Sequence, residues 1–214
     1  MIKGIIFDMD GVLFDTEPFY IDRRGRFLDQ VGISVQHMEA KDFIGGNLQG
    51  LWDKVLGQDF DKENAAEFHR SYEQYKDEHK APYRDLLFPQ VISSLQVFQK
   101  AGIRMALASN SNKKDVKRAL ACCQMEEYFD FYLAREDVRR AKPDPEIYLK
   151  AKEGLGLPKE ELLVVEDSQK GIAAAKGANI QVYAIKDKRY GINQSQATKV
   201  IENLSQLQEE LGLL

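Results

Sequence analysis

The chain has 214 residues, 43% hydrophobic and 30% charged, with 15 Gly and 6 Pro; these proportions exclude a disordered, collagen-like or low-complexity protein and leave room for one large core, with or without an insertion. Its 30 basic and 34 acidic side chains give a net charge of -4, so no general field draws nucleic acid or anionic lipid, and any anionic ligand must be met locally. The longest apolar run, Ala119 to Cys123, falls far short of a bilayer span, and the N-terminal MIKGIIFDMDG meets Asp8 and Asp10 before a signal-peptide core accumulates. A soluble cytoplasmic chain is expected, with no membrane or nucleic acid partner.

The first apolar run, Gly4 to Phe7, reads as a buried strand. From residue 17 to residue 83 strand patterns give way to helical periodicity and dense charge, with Tyr20, Phe27 and Val31 on one helical face and Phe68, Tyr72 and Tyr75 on another. Val91, Leu95 and Phe98 then recur at helical spacing between Pro89 and Gly102, ahead of a strand at Arg104 to Ala108. A helix follows Asn112, with Val116, Leu120 and Cys123 on its inner face. Strands at Phe131 to Ala134, Leu162 to Val165 and Val182 to Ile185 alternate with helices that start at Asp144-Pro145 and at Ser168. The adjacent Cys122 and Cys123, the chain's two cysteines, do not suit an ordinary disulfide, in keeping with a reducing compartment. Val200, Leu204, Leu207 and Leu211 form a last apolar stripe, expected to pack on the core. This alternation predicts an α/β fold with a doubly wound, Rossmann-like parallel sheet, built from residues 1–16 and 84–214 with a helical insertion at 17–83.

Parallel strands gather their C-terminal ends on one edge, where ligands bind. Asp8 and Asp10 follow the first strand, and residues i and i+2 of an extended chain point the same way. Two like charges about 4 Å apart repel by about 4 kcal/mol at an effective dielectric near 20, so such a pair calls for a cation or a shared proton. Taken alone, the pair reads equally well as loop carboxylates around a turn at Gly11. Glu166-Asp167 ends another strand, so the two acidic pairs can meet. An all-oxygen cluster of this kind suits Mg²⁺. Zinc is not expected, because His37, His69 and His79 lie in the insertion and the cysteines on a helix. Ser109-Asn110-Ser111 could cradle a phosphate at a helix start or simply cap that helix. Lys142, held on a loop by Pro143, could neutralise both carboxylates and a phosphate.

These elements occur in the signatures DMDGVLFDTE from Asp8, ASNS ending at Ser111, KPDPEIY from Lys142 and VVEDSQKGIAAAKGA from Val164. In that order they resemble the haloacid dehalogenase-like (HAD) superfamily, most closely its β-phosphoglucomutase-like phosphatase branch. The resemblance implies a small four-helix cap in the insertion. It also implies that Asp8 is the nucleophile that becomes an aspartyl phosphate, and that Asp10 is general acid and base. By the same resemblance Asp8, Asp167 and the main-chain carbonyl of Asp10 hold Mg²⁺, with Glu166 behind them, while Ser109, the N–H of Asn110, and Lys142 bind the transferring phosphoryl group.

The cap separates phosphatase from mutase. Its substrate loop falls near Gly46, with Gln49 where the mutases carry an Arg, and Tyr20 replaces a typical mutase histidine; Lys76 falls where the mutases carry a cap lysine. The expected activity is therefore a Mg²⁺-dependent phosphatase of a small phosphorylated metabolite, a phosphosugar by preference, acting as a monomer or weak homo-oligomer. A β-phosphoglucomutase is the alternative, and a catalytically silent metabolite-binding module the remote one.

Overall fold

The computed structural model describes residues 1–34 and 62–213, with 62–65 as backbone alone. The chain divides into two units, Met1–Asp15 with Tyr83–Leu214, and Thr16–Pro82. The first unit holds six parallel strands: β1 (Gly4–Phe7), β2 (Arg104–Ala108), β3 (Phe131–Leu133), β4 (Leu162–Glu166), β5 (Gln181–Ile185) and β6 (Lys199–Ile201). Their order is β3-β2-β1-β4-β5-β6, so the expected doubly wound α/β architecture is the observed one. Gly4 lies opposite both Arg104 and Leu162, and Phe7 opposite Leu107 and Val165. This register brings the strands on either side of β1 to an end within a residue or two of Asp8.

Two apolar faces hold the sheet. Alternate residues Ile6, Ala106, Val164 and Val182 share a core with Tyr148, Ala151 and Leu155 of one helix and Ile172 and Ala175 of another. The intervening Phe7 turns the other way, its ring 6.0 Å from Phe98 and 6.1 Å from Phe129. Each fully buried aliphatic or aromatic side chain of this kind contributes about 1.5–3 kcal/mol. Both faces of the strands are therefore covered, which is why their sequences read as continuous apolar runs.

Among the described residues, the helices of the second unit are α1 (Glu17–Gln30) and α2 (Lys62–Glu78). Phe27 meets the rings of Phe68, Tyr72 and Tyr75 at 5.2, 5.1 and 5.4 Å, so the two predicted aromatic faces pack on each other. Val31 does not join them: it lies past the end of α1 and is 43% exposed. The remaining helices belong to the first unit: α3 (Tyr83–Leu86), α4 (Val91–Lys100), α5 (Lys113–Cys122), α6 (Glu146–Leu155), α7 (Gln169–Gly177) and α8 (Leu204–Glu210). Asn112 caps α5 by accepting from the Asp115 N–H, and Ser168 caps α7 by accepting from the Gly171 N–H.

Three expectations shift. Strand β3 stops at Leu133, one residue early, and α6 begins after Pro145, with Asp144 accepting from the Glu146 N–H rather than serving as the cap itself. The C-terminal stripe breaks in two. Val200 lies in β6 and is 42% exposed, whereas Leu204 and Leu207 on α8 are fully buried.

Candidate active site

At the sheet edge, Lys142 is the central group. It is 5% exposed, and its Nζ donates to Asp8 Oδ1 (2.6 Å), Glu166 Oε1 (2.7 Å) and the Ala108 carbonyl (2.9 Å). Three strand ends, those of β1, β2 and β4, thus converge on one ammonium. An ammonium this buried is stable only when paired, and here two carboxylates compensate it. Burial favours the neutral amine, but Asp8 and Glu166 outweigh it and hold the Lys142 ammonium above its ordinary range.

Lys142 arrives on a loop that Asn110 clamps. The Asn110 side chain accepts from the Lys142 N–H (3.1 Å) and donates to the Lys142 carbonyl (3.4 Å). Beside it, Ser109 is buried, its Oγ accepting from the Ser111 N–H (2.9 Å), and the Ser111 hydroxyl donates to Asp10 Oδ2 (2.7 Å). The segment after β2 therefore touches both the lysine loop and the second aspartate.

Glu166 is fully buried and saturated. Its Oε1 accepts from Lys142 Nζ and Tyr148 Oη (2.8 Å), and its Oε2 from the Asp167 N–H, the Ser168 N–H and the Ser168 hydroxyl. A carboxylate offers about four acceptor sites, so these five donors leave Glu166 no room to bind a metal directly. Burial alone raises a carboxyl pKa, but here Lys142 and the donated hydrogen bonds win and keep Glu166 ionised. Burial, with Glu166 nearby, pushes the Tyr148 phenol well above its ordinary range, so it remains a donor.

Asp8 is treated differently. Burial pushes its carboxyl up to about 8; Lys142 pulls against this, while Glu166 and Asp10 add to it. The side-chain oxygens of Asp8, Glu166 and Asp167 include a set lying within 4.8 Å of one another. With Glu166 saturated, Asp8 and Asp167 are the carboxylates able to hold a hard cation, and oxygen donors fit Mg²⁺. Gly11 makes room for one of them: it has φ +79°, and a Cβ there would fall 1.9 Å from Asp167 Oδ2. The Asp10 side chain lies outside the three-carboxylate group.

Of the predicted cap residues, Gly46 and Gln49 fall outside the described residues, and Lys76 lies on α2 with its Nζ 3.1 Å from Glu73. Tyr148, Ser168 and Gln194 were not among the predicted site residues. Tyr148 has a sequence signal, since it follows Lys142 by six residues on the helix of the same signature.

A parallel α/β sheet that joins carboxylates and a buried lysine at its switch point defines an enzyme built to handle an anionic group. The profile of the family described as haloacid dehalogenase-like hydrolase matches residues 5–185. A phosphorylated carbohydrates phosphatase from Thermotoga maritima is 33% identical over 192 residues, spanning 86% of this chain and 85% of the relative. A phosphoglycolate phosphatase from Aquifex aeolicus is 28% identical over 178 residues, spanning 83% and 81%. Among solved structures, β-phosphoglucomutase from Clostridium difficile superposes with a TM-score of 0.79 at 25% identity, covering 99% of this chain and 95% of that one. The chain belongs to the haloacid dehalogenase-like hydrolases.

Proposed function

We propose that the protein is a Mg²⁺-dependent phosphatase that hydrolyses a small phosphorylated metabolite, a phosphosugar by preference, through an aspartyl phosphate on Asp8. The observation that carries this reading is Lys142 Nζ shared between Asp8 and Glu166 at 2.6 and 2.7 Å, beside Ser109 and Asn110. The Thermotoga relative, named for phosphorylated carbohydrates, supports the substrate class.

In this reading Lys142 fixes Asp8 through Oδ1, and Oδ2 attacks phosphorus as the ester P–O bond breaks. Asp10, held by the Ser111 hydroxyl, gives a proton to the leaving oxygen. It then takes one from the water whose oxygen displaces Asp8 and forms inorganic phosphate. Ser109, the Asn110 N–H and the Lys142 ammonium bind the oxygens of the phosphoryl group. Asp8, Asp167 and the main-chain carbonyl of Asp10 would hold Mg²⁺, which when bound supplies the positive charge that favours an ionised Asp8 and offsets the phosphate. Glu166 holds Lys142 and the Asp167 backbone in place. Gly46, Gln49 and Lys76 are assigned to substrate selection by the cap.

The test is a panel of phosphate esters, glucose phosphates included, incubated with the protein and Mg²⁺. Inorganic phosphate should appear, and Asp8→Asn should abolish it. No release from any ester, together with conversion of β-glucose 1-phosphate to glucose 6-phosphate once a sugar bisphosphate is added, would replace the phosphatase by a mutase. Failure to turn over even an activated aryl phosphate would leave a binding module.

A further inference from the structure

We propose that Gln194, in the loop between β5 and β6, is a positioning residue for Asp167 and so for the cation site. The inference rests on the reading above in one respect, that Asp167 is a metal ligand.

The Gln194 amide uses both ends. Its Nε2 donates to the Asp167 carbonyl at 2.7 Å and to the Ile185 carbonyl at 2.7 Å, and its Oε1 accepts from the Asp187 N–H at 3.1 Å. One side chain therefore ties the loop to the C-terminal ends of β4 and β5. Its bond to Asp167 completes a grip on that residue's backbone, because the Asp167 N–H already donates to Glu166 Oε2 at 2.9 Å. With the amide N–H fixed on one side and the carbonyl on the other, the Asp167 Cα has little freedom to swing. The carboxylate it carries enters the space left by the missing Cβ of Gly11, where a Cβ would fall 1.9 Å from Asp167 Oδ2. A rotation of the Asp167 backbone would move the carboxylate out of that slot.

The loop is built to present this amide. The Asp187 carboxylate accepts from the N–H groups of Arg189, Tyr190 and Ile192, which curls the chain between Asp187 and Gln194, and the Arg189 guanidinium pairs with Asp15. Gln is suited to the position because a primary amide supplies two N–H donors and one acceptor in a single plane. Glu would set a negative oxygen against two carbonyls. Groups that orient a ligand from outside the coordination sphere change metal affinity by about 10–100-fold when removed.

The experiment compares wild type, Gln194→Ala, Gln194→Glu and Asn193→Ala by calorimetric titration with MgCl₂, alongside the thermal midpoint in metal-free buffer and steady-state turnover of an aryl phosphate. Asn193 is in the same loop and accepts from the Ser195 N–H, without a bond to Asp167. The expected result is a Mg²⁺ affinity lowered about 10-fold or more in both Gln194 variants, with a matching rise in the Mg²⁺ concentration needed for half-maximal turnover. Asn193→Ala should keep the wild-type affinity. Gln194 variants that bind Mg²⁺ within twofold of wild type would overturn the inference and leave the phosphatase reading standing, even if their thermal midpoint falls. An equal loss of affinity in Asn193→Ala would also overturn it, since the effect would then belong to the loop at large. Wild-type protein that binds no Mg²⁺ would overturn the metal reading itself, and this inference with it.

Discussion

Strands β1 and β4 are neighbours, β1 followed by Asp8 and β4 ending at Glu166, yet the protein treats the two carboxylates in opposite ways. Glu166 at the end of β4 is saturated by donors, and Lys142 with those hydrogen bonds keeps it ionised despite burial. Asp8 after β1 receives the same ammonium, but burial pushes it up to about 8. One carboxylate is committed to holding the other parts in place. The other has fewer partners, as the proposed binding of a cation and a phosphoryl group at Asp8 requires. In the proposed mechanism, identical chemical groups thus divide into scaffold and reagent according to how many N–H and O–H groups reach them.

The largest effect that can break this comparison is on turnover. Asp8→Asn should reduce phosphate release to background, a loss of about 10⁴-fold or more, while the folded chain persists, because a neutral side chain at position 8 suits its burial; phosphate release and the thermal midpoint, measured together, check both halves. If Asp8→Asn unfolds the protein, Asp8 is scaffold too. Glu166→Gln should do the opposite, lowering stability by about 3–5 kcal/mol through the buried ion pair it removes, as read by urea denaturation. Tyr148→Phe removes one hydrogen bond from Glu166 Oε1 and leaves the ring 4.8 Å under the Lys142 ammonium. It should cost about 1.5–3 kcal/mol in the same measurement.

The smallest effect extends the comparison to a third strand end. Burial opposes ionisation of Asp187 after β5, but hydrogen bonds from the backbone N–H groups of Arg189, Ile192 and Tyr190 prevail and hold it below its ordinary 3.8. A carboxyl lowered on folding contributes stability above its unfolded value, lost as pH falls from there through the folded one. Asp187→Asn should therefore flatten the acid limb of a stability-versus-pH curve below about pH 4, with a loss of about 1 kcal/mol or less at neutral pH, given the loop's exposure to solvent.

The strands were legible where both faces are buried. Gly4–Phe7, residues 105–108 and residues 162–165 are apolar runs because the sheet is covered on either side. Strand β6 escaped notice because it is an edge strand of three residues, and its Val200, exposed at 42%, fell into step with the helical spacing of Leu204 and Leu207. Asp8, Ser109, Lys142 and Glu166 could be singled out because each sits at or next to the end of a strand or in a loop flanked by prolines. Gln194 could not. It lies in the polar run Gly191-Ile192-Asn193-Gln194-Ser195, and its partner Asp167 is 27 residues away. Tyr148 carried a helical, apolar-face signal that hid its hydroxyl. The number of donors on Glu166 was beyond reach, because it depends on which way the backbone N–H groups of residues 167 and 168 turn.

The order of strands also bears on how the protein is made. Asp8 precedes both Lys142 and Glu166 in the chain, and β1 lies inside the sheet between β2 and β4. Those two neighbours come from residues 104–108 and 162–166, and Lys142 is separated from Asp8 by 134 positions. While residues 9–141 are being added, a nascent chain therefore carries Asp8 with no Lys142 ammonium to meet it and one or both edges of β1 open. Such long-range closure makes folding slow relative to a chain of local contacts. A product cut short before Glu166 would lack both the β4 edge that covers β1 and the carboxylate that shares Lys142 with Asp8, so premature termination leaves an open sheet.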